Sequence, residues 1–308
     1  MSTLKSVNLQ HPSSASPNIV LDSSGNATMA GTMAMATPFA IRNKIINGAM
    51  EIDQRNAGAS VTVTSDGTYG IDRWKYRTTL SSKFSVQRST VAPPGFTNSL
   101  LATSLAATTP GTNDYYAVEQ LIEGFNVADL SWGTVNARSV TLSFWVRSSL
   151  TGTFGGVIGN AAYNRSYPFT YSISSANTWE YKTVTIPGDT TGTWETGSST
   201  GIDLFFGLGV GSGQSGAAGS WAAAGRVSAT GAVNFVGTNG ATFYLTGVQL
   251  EVGSVATPFE RRLYGQELAL CQRYFAVGRI IGNAYFHAVT ANANDRFVAS
   301  QRPPVDMR

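Results

Sequence analysis

Charge is scarce in this chain: Asp, Glu, Lys and Arg make up 13% of its 308 residues, about half the share usual for a soluble domain. Cysteine is scarcer still, with Cys271 alone, so no internal disulfide can form. That single thiol and two histidines cannot assemble a protein zinc site. The first twenty residues, MSTLKSVNLQHPSSASPNIV, lack the apolar core of a signal peptide. No stretch approaches the roughly 18 consecutive apolar residues of a membrane span. The net charge of +3 comes from scattered residues without a Lys/Arg run or a basic helix, which points away from nucleic acid as a partner. Export from the cell that makes the protein would therefore use another route.

What is abundant is glycine, with 33 residues, accompanied by Ser and Thr. That profile favours short strands joined by many turns. From Lys44 to Glu260 the chain is a succession of β-branched or aromatic runs, including SVTLSFWVRSS, PFTYSIS, WEYKTVTIPG and TFYLTGVQLEV, each bounded by Gly, Pro, Asn, Asp or Ser. Leu142, Phe144 and Val146 alternate with Thr141, Ser143 and Trp145, and Val248, Leu250 and Val252 with Gln249 and Glu251. This is the period of strands with one dry and one wet face. About ten such runs, without helical periodicity between them, indicate a mainly β protein built as an antiparallel jelly-roll β-sandwich.

Three regions follow from the pattern. Residues 1–44, rich in Ser, Ala, Pro, Thr and Met, hold only the strand-like NIVLD and the turn signal SSGN, too little apolar surface to fold alone. They form an extended arm or a disordered tail. Residues 45–260 form the sandwich. In residues 261–308, Leu268, Cys271 and Phe275 recur at helical spacing, predicting a helix from Gly265 to Phe275, followed by two or three short strands.

Catalytic constellations are weak. Gly211, Gly213 and Gly216 match GxGxxG in spacing, but no helix opens after them and no acidic residue follows at the required distance, so the stretch reads as a loop at one end of the sandwich. The closest approach of carboxylates is Asp114, Glu119 and Glu123, which read as turn and strand-surface charges. His11 and His287 would have to serve any Ser/His/Asp triad, and both read as structural. No catalytic residue, no metal and no cofactor is expected. The aromatics are more informative, because a ring offers a flat apolar face to the C–H face of a sugar. Trp145 and Trp179 lie in regular strand patterns. The loop NAAYNRSYPF gathers Tyr163, Arg165 and Tyr167, and Trp221 lies in another loop. Trp145, Tyr163, Arg165, Tyr167 and Trp221 are the candidate glycan-binding residues, although core or intersubunit packing is the ordinary role for any one of them.

The stretches RNKIINGAMEIDQRNAG, YGIDRWKY, VTLSFWVRSS and TGVQLEVGSVATPFERRLYGQELALCQRYF together resemble the tail fibre or receptor-binding proteins of tailed bacteriophages, over most of residues 43–275. The last stretch is the most specific. Residues 45–255 also look like the jelly roll of carbohydrate-binding modules. The resemblance implies a non-enzymatic virion protein of the tail, made in the host cytoplasm and commonly a homotrimer. Residues 1–44 would dock on the tail or baseplate, and the remainder would bind a host surface glycan such as lipopolysaccharide. A glycan-degrading tail spike and a purely structural fibre or adaptor are the alternatives. In carbohydrate-binding modules a Glu after an opening NG often helps hold calcium. Glu51 occupies that place here, but no adjoining ligand set accompanies it.

Overall fold

The computed structural model describes residues 42–277, together with Asn8, Leu9, Ser13, residues 19–21, Ser23 and residues 27–29. The chain divides into two units, Met1–Ala40 and Ile41–Arg308. His11, His287 and the short strands expected after residue 277 lie outside the described residues.

In the first unit, strands β1 (Asn8–Leu9), β2 (Ile19–Leu21) and β3 (Ala27–Met29) form an antiparallel sheet in the order β1-β2-β3. β2 lies within the NIVLD run. The turn residues SSGN separate it from β3, with Leu21 opposite Ala27. The N-terminal region thus contains a small meander.

The second unit contains β4 (Val61–Thr62), β5 (Thr68–Tyr69), β6 (Trp74–Thr78), β7 (Phe84–Ser89), β8 (Ser99–Ser104), β9 (Tyr115–Glu123), β10 (Val140–Ser148), β11 (Gly152–Gly159), β12 (Ser166–Ile173), β13 (Glu180–Ile186), β14 (Thr200–Val210), β15 (Ser215–Gly216), β16 (Ser228–Ala229) and β17 (Thr242–Val252), then helix α1 (Tyr264–Gln272). Two six-stranded antiparallel sheets dominate, in the orders β13-β10-β17-β8-β7-β4 and β12-β11-β14-β9-β6-β5. They form the mainly β sandwich expected from the strand periodicity.

Ring pairs between the sheets build the core. Phe144 of β10 meets Phe206 of β14 edge-on at 5.1 Å, Phe154 of β11 meets Phe243 of β17 at 5.8 Å, and Phe84 of β7 meets Tyr116 of β9 at 6.4 Å. All six rings are essentially buried, each contributing roughly 2–3 kcal/mol of apolar transfer. Leu142 and Val146 join them on the inner face of β10, as the alternation requires.

β17 keeps its apolar residues inward only by means of a bulge. Phe243 and Leu245 point inward before it and Val248 and Leu250 after it, so the phase slips by one residue between them. The pairing with β10 shifts between Ser143 and Trp145, opposite Gly247, which sits at φ 61°. A left-handed glycine is the usual device for such a slip.

The outer-face residues Gln249 and Glu251, expected to be wet, are buried. The chain after β17 folds back over them. Glu251 accepts hydrogen bonds from the Thr257 N–H at 2.8 Å and its hydroxyl at 2.7 Å. Gln249 Oε1 accepts from the Glu260 N–H at 2.7 Å. The strand's polar face thus anchors its own continuation.

The same continuation is stapled to residues 42–52. The Asn43 side chain bonds the Val248 carbonyl and the Leu250 N–H, and Glu260 accepts from the Arg42 and Asn43 N–H groups. Gly48 is obligatory here, since a Cβ would lie 2.1 Å from the Val248 carbonyl oxygen. Arg262 donates to the Ile45 carbonyl and pairs with Glu267. Helix α1 ends earlier than Phe275, and its Cys271 packs with Ile46 and Ile52. Beyond it, Arg273 makes a two-point contact with buried Glu123, and Arg73 stacks on Tyr274 at 3.5 Å. The change of sequence pattern at Pro258 is therefore no break in packing.

Candidate functional site

Trp145 projects from the outer face of β10 and is only partly buried. Its direct cross-strand neighbour on β13 is Tyr181, 44% exposed, with ring centroids 5.4 Å apart. On the other side lies Gly247, whose bulge leaves no side chain: a Cβ there would come within 2.7 Å of the Phe96 ring and 3.1 Å of Trp145 Cδ1. The residue that corrects the core phase thus also lets Phe96 reach Trp145.

Phe96 meets Phe259 edge-on at 5.1 Å. Arg261 donates to the Gly95 carbonyl and lies over Phe96 at 4.8 Å and Phe259 at 5.7 Å. The folded-back segment supplies Ala256, Thr257, Pro258, Phe259 and Arg261 as one wall. Together these groups enclose an open groove of about 540 Å³, floored by Ser143, Trp145 and Gly247. Two residues further along β10, Arg147 stands beside Tyr244 of β17, over whose ring it lies at 5.0 Å. Trp179 meets Tyr244 at 5.9 Å. The outer face of the first sheet therefore carries two adjacent aromatic rungs, one containing Tyr181 and Trp145, the other Trp179, Arg147 and Tyr244.

The other sequence candidates lie elsewhere. Arg165 makes a two-point ion pair with Asp189, at 2.6 and 2.8 Å, and Asp189 is only 2% exposed. The Arg165 side chain is held by this pair and holds its loop. Tyr167 is buried and meets Trp221 at 5.4 Å. Trp221 donates to the Pro187 carbonyl and packs edge-on against Trp132 and Trp194. These three form one tightly bonded aromatic cluster, separate from the Trp145 groove.

Tyr163 belongs to a third place, over the outer face of the second sheet. It takes a left-handed backbone, φ 51°, and its hydroxyl donates to Glu119 at 3.3 Å and accepts from Arg77 at 3.1 Å. Beneath it lie Glu119 of β9 and Asp203 of β14, 0% and 1% exposed. Lys75 and Arg77 of β6 pair with Glu119 at 3.4 and 3.0 Å. Burial, reinforced by the Glu119 charge, pushes the Asp203 carboxyl up to about 7. Sequence spacing offered no signal for this pair, because the two strands meet only in the folded sheet. The rest of this face is covered as well: Val227 packs on Ala117, Val157 and Phe205. Gly155 and Gly207 leave room for Ser228, whose Oγ would lie 2.5 and 2.6 Å from a Cβ at either position.

The Gly211–Gly216 stretch is a turn leading from β14 into β15, and β15 pairs with β16 without an intervening helix. Burial raises the Glu51 carboxyl above its ordinary range, with Glu267 adding to the rise. Among the described residues, no group of three or more His, Cys, Asp or Glu side chains gathers as metal ligands would.

No protein-family profile matches the chain, and no curated protein matches it. Solved structures do. The enzymatically active domain of bacteriophage CBA120 tailspike protein 4 shares 14% identity at a TM-score of 0.35, over 62% of this chain, which spans only 21% of that one. TmCBM61, solved in complex with β-1,4-galactotriose, shares 10% identity at a TM-score of 0.34, over 69% of this chain and all of its own. The CBM22-2 xylan-binding domain from Paenibacillus barcinonensis Xyn10C shares 14% identity at a TM-score of 0.34, over 63% of this chain and 99% of its own. These are similarities of β-sandwich architecture and assign no ligand to this chain.

Proposed function

We propose that the protein is a non-enzymatic glycan-binding protein whose binding site is the Trp145 groove. The observation that carries this reading is the pair of Trp145 and Tyr181, side by side on an open sheet face and walled by Phe96 and Phe259. Such a platform stacks sugar rings, while Arg261 supplies hydrogen-bond donors at its margin. Tyr163, Arg165 and Trp221 then serve to hold loops in place, since their polar groups bond within the protein, and Tyr167, on β12, is buried against Trp221.

The biological setting we propose is the adsorption apparatus of a tailed bacteriophage. The protein would act there as a virion tail fibre recognising a host surface glycan such as lipopolysaccharide. The supports are the resemblance carried by residues 43–275 and the open groove. In a homotrimer attached to the tail or baseplate through residues 1–44, weak contacts at each copy would combine into useful adsorption, because tethering raises effective concentration without new contacts.

A glycan-degrading spike would need two carboxylates flanking a substrate bond. Glu119 and Asp203 are such a pair in composition, but Tyr163 and the flanking loops seal them from substrate. The binding reading is tested by screening the protein on a glycan array, alongside Trp145→Ala and Trp221→Ala. Retention of a glycan by wild type and Trp221→Ala, with its loss in Trp145→Ala, supports the reading. Release of reducing ends from host polysaccharide would overturn the non-enzymatic assignment.

A further inference from the structure

The glycan reading says nothing about which sugars the groove prefers, and the charges around it do. Among the described residues, Arg261 is the only charged side chain lining the groove. Its position is set by the Gly95 carbonyl and by two aromatic rings, so the guanidinium is held in place before any ligand arrives. Among the described residues, no carboxylate lies within ion-pair distance of it, nor of Arg147 on the neighbouring rung. Of the nearby acids, Glu251 is committed to Thr257, Glu260 to the Arg42 and Asn43 N–H groups, and Glu180 to Lys182 and the Ser174 and Ser175 N–H groups, while Glu51 feels the Arg261 charge without forming an ion pair with it.

Elsewhere four partly buried arginines pair with acids, Arg77 with Asp66 and Glu119, Arg165 with Asp189, Arg262 with Glu267, and Arg273 with Glu123, while Arg88 and Arg226 bond backbone carbonyls. The two on the aromatic face lie over rings, as Arg77 and Arg165 also do, and differ from those two in having no acid within ion-pair distance. Stacking a guanidinium on an aromatic face leaves its terminal N–H donors free for a carboxylate; the Arg147 Nε is buried, so its terminal nitrogens are the ones that would make that contact. Trp145 and Arg147 are two residues apart on β10, ~6.8 Å along the strand, the scale of one pyranose ring and its linkage. An aromatic platform with an unpaired guanidinium on either side fits a sugar chain carrying negative groups.

Resting on the glycan reading above, we infer that the groove selects an acidic saccharide, its sugar rings stacked on Trp145 and Tyr181 and its carboxylates received by Arg261 and Arg147. The neutral outer surface of a galactan or xylan would leave both guanidinium groups without their preferred partner.

The test compares each acidic glycan with its own neutral form. Polygalacturonate, alginate and hyaluronate oligosaccharides, together with lipopolysaccharide core oligosaccharide, are titrated against the full-length protein by calorimetry. Carboxyl-reduced samples of the same backbones are titrated in parallel. At least one acidic form should bind about tenfold more tightly than its reduced counterpart. Arg261→Gln and Arg147→Gln should each weaken the acidic form about fivefold and leave the reduced form unchanged, while Arg261→Lys keeps part of the preference. Raising the salt concentration should erode the preference, since the pairs are open to solvent. Equal binding of acidic and reduced forms, both lost in Trp145→Ala, would overturn the acidic-sugar inference and leave the glycan reading standing. Absence of binding to these probes and to a wider glycan array would overturn the glycan reading, and the inference with it.

Discussion

The two outer faces of the sandwich have opposite characters. On the first sheet, Trp145, Tyr181, Trp179 and Tyr244 remain partly or largely exposed and two arginines lie over rings without acidic partners. On the second, β16 lies flat across Gly155 and Gly207, and Tyr163 closes over a buried carboxylate pair. The first face buries its polar strand residues, Gln249 and Glu251, under a folded-back segment whose far side then becomes a groove wall. The second uses loops to remove a face from solvent altogether. Comparable sheets can thus present a binding platform or a sealed layer, depending on whether the covering segment stops short of the aromatic rungs.

Several substitutions sharpen that contrast. The largest expected effect is structural and belongs to the aromatic cluster. Arg165→Ala strands Asp189, which is almost fully buried, and should cost about 3–4 kcal/mol in denaturant unfolding, with glycan binding by the folded protein unchanged. Loss of binding at full stability would instead move the site towards Arg165 and Trp221.

Next is the sealed pair. The Asp203 carboxyl, ordinarily near 3.8, is held up to about 7 in the folded protein. Between those values the native state holds a proton that the unfolded chain has released, so stability should fall as pH rises through this window. Asp203→Asn keeps the shape of the neutral acid. It should raise stability at pH 8 by roughly 3–4 kcal/mol and leave it little changed near pH 4. A pH-independent difference in melting temperature would contradict the assignment.

Trp145→Ala should weaken glycan binding by about 2 kcal/mol, more than tenfold, with little change in melting temperature, because the ring is partly exposed. The smallest effect combines both properties. Gly247→Ala places a Cβ at a left-handed position against Phe96. It should cost ~1 kcal/mol of stability and narrow the groove, weakening binding several-fold. Unaltered stability and affinity would show that the bulge sets neither the register nor the groove.

Much of the sandwich was legible from alternation. Leu142, Phe144 and Val146 point inward and Trp145 outward because a strand's period of two admits little else. The helix near Cys271 was legible from its spacing. The polarity of Gln249 and Glu251 misled, because a polar residue on an outer face reads as wet unless the covering segment is known. The bulge at Gly247 was not read from TFYLTGVQLEV, and its consequence for Phe96 required the loop that carries Phe96. Of the groove, Trp145 alone stood out in the sequence. Its partners Phe96, Tyr181, Phe259 and Arg261 come from separate segments and meet only through strand pairing and the fold-back. A tyrosine on the alternating WEYKTVTI run was the one local signal for a second ring. For Tyr163, Arg165, Tyr167 and Trp221, clustering in loops was visible, whereas the buried acids that engage two of them were not.

The most direct test of the central claim is hydroxyl-radical footprinting of the protein with and without a glycan retained on the array. The account predicts protection of Trp145, Tyr181 and Phe96 on binding, with Tyr163 and Trp221 unchanged. Protection confined to Tyr163 or Trp221, with Trp145 as reactive as in the free protein, would contradict it.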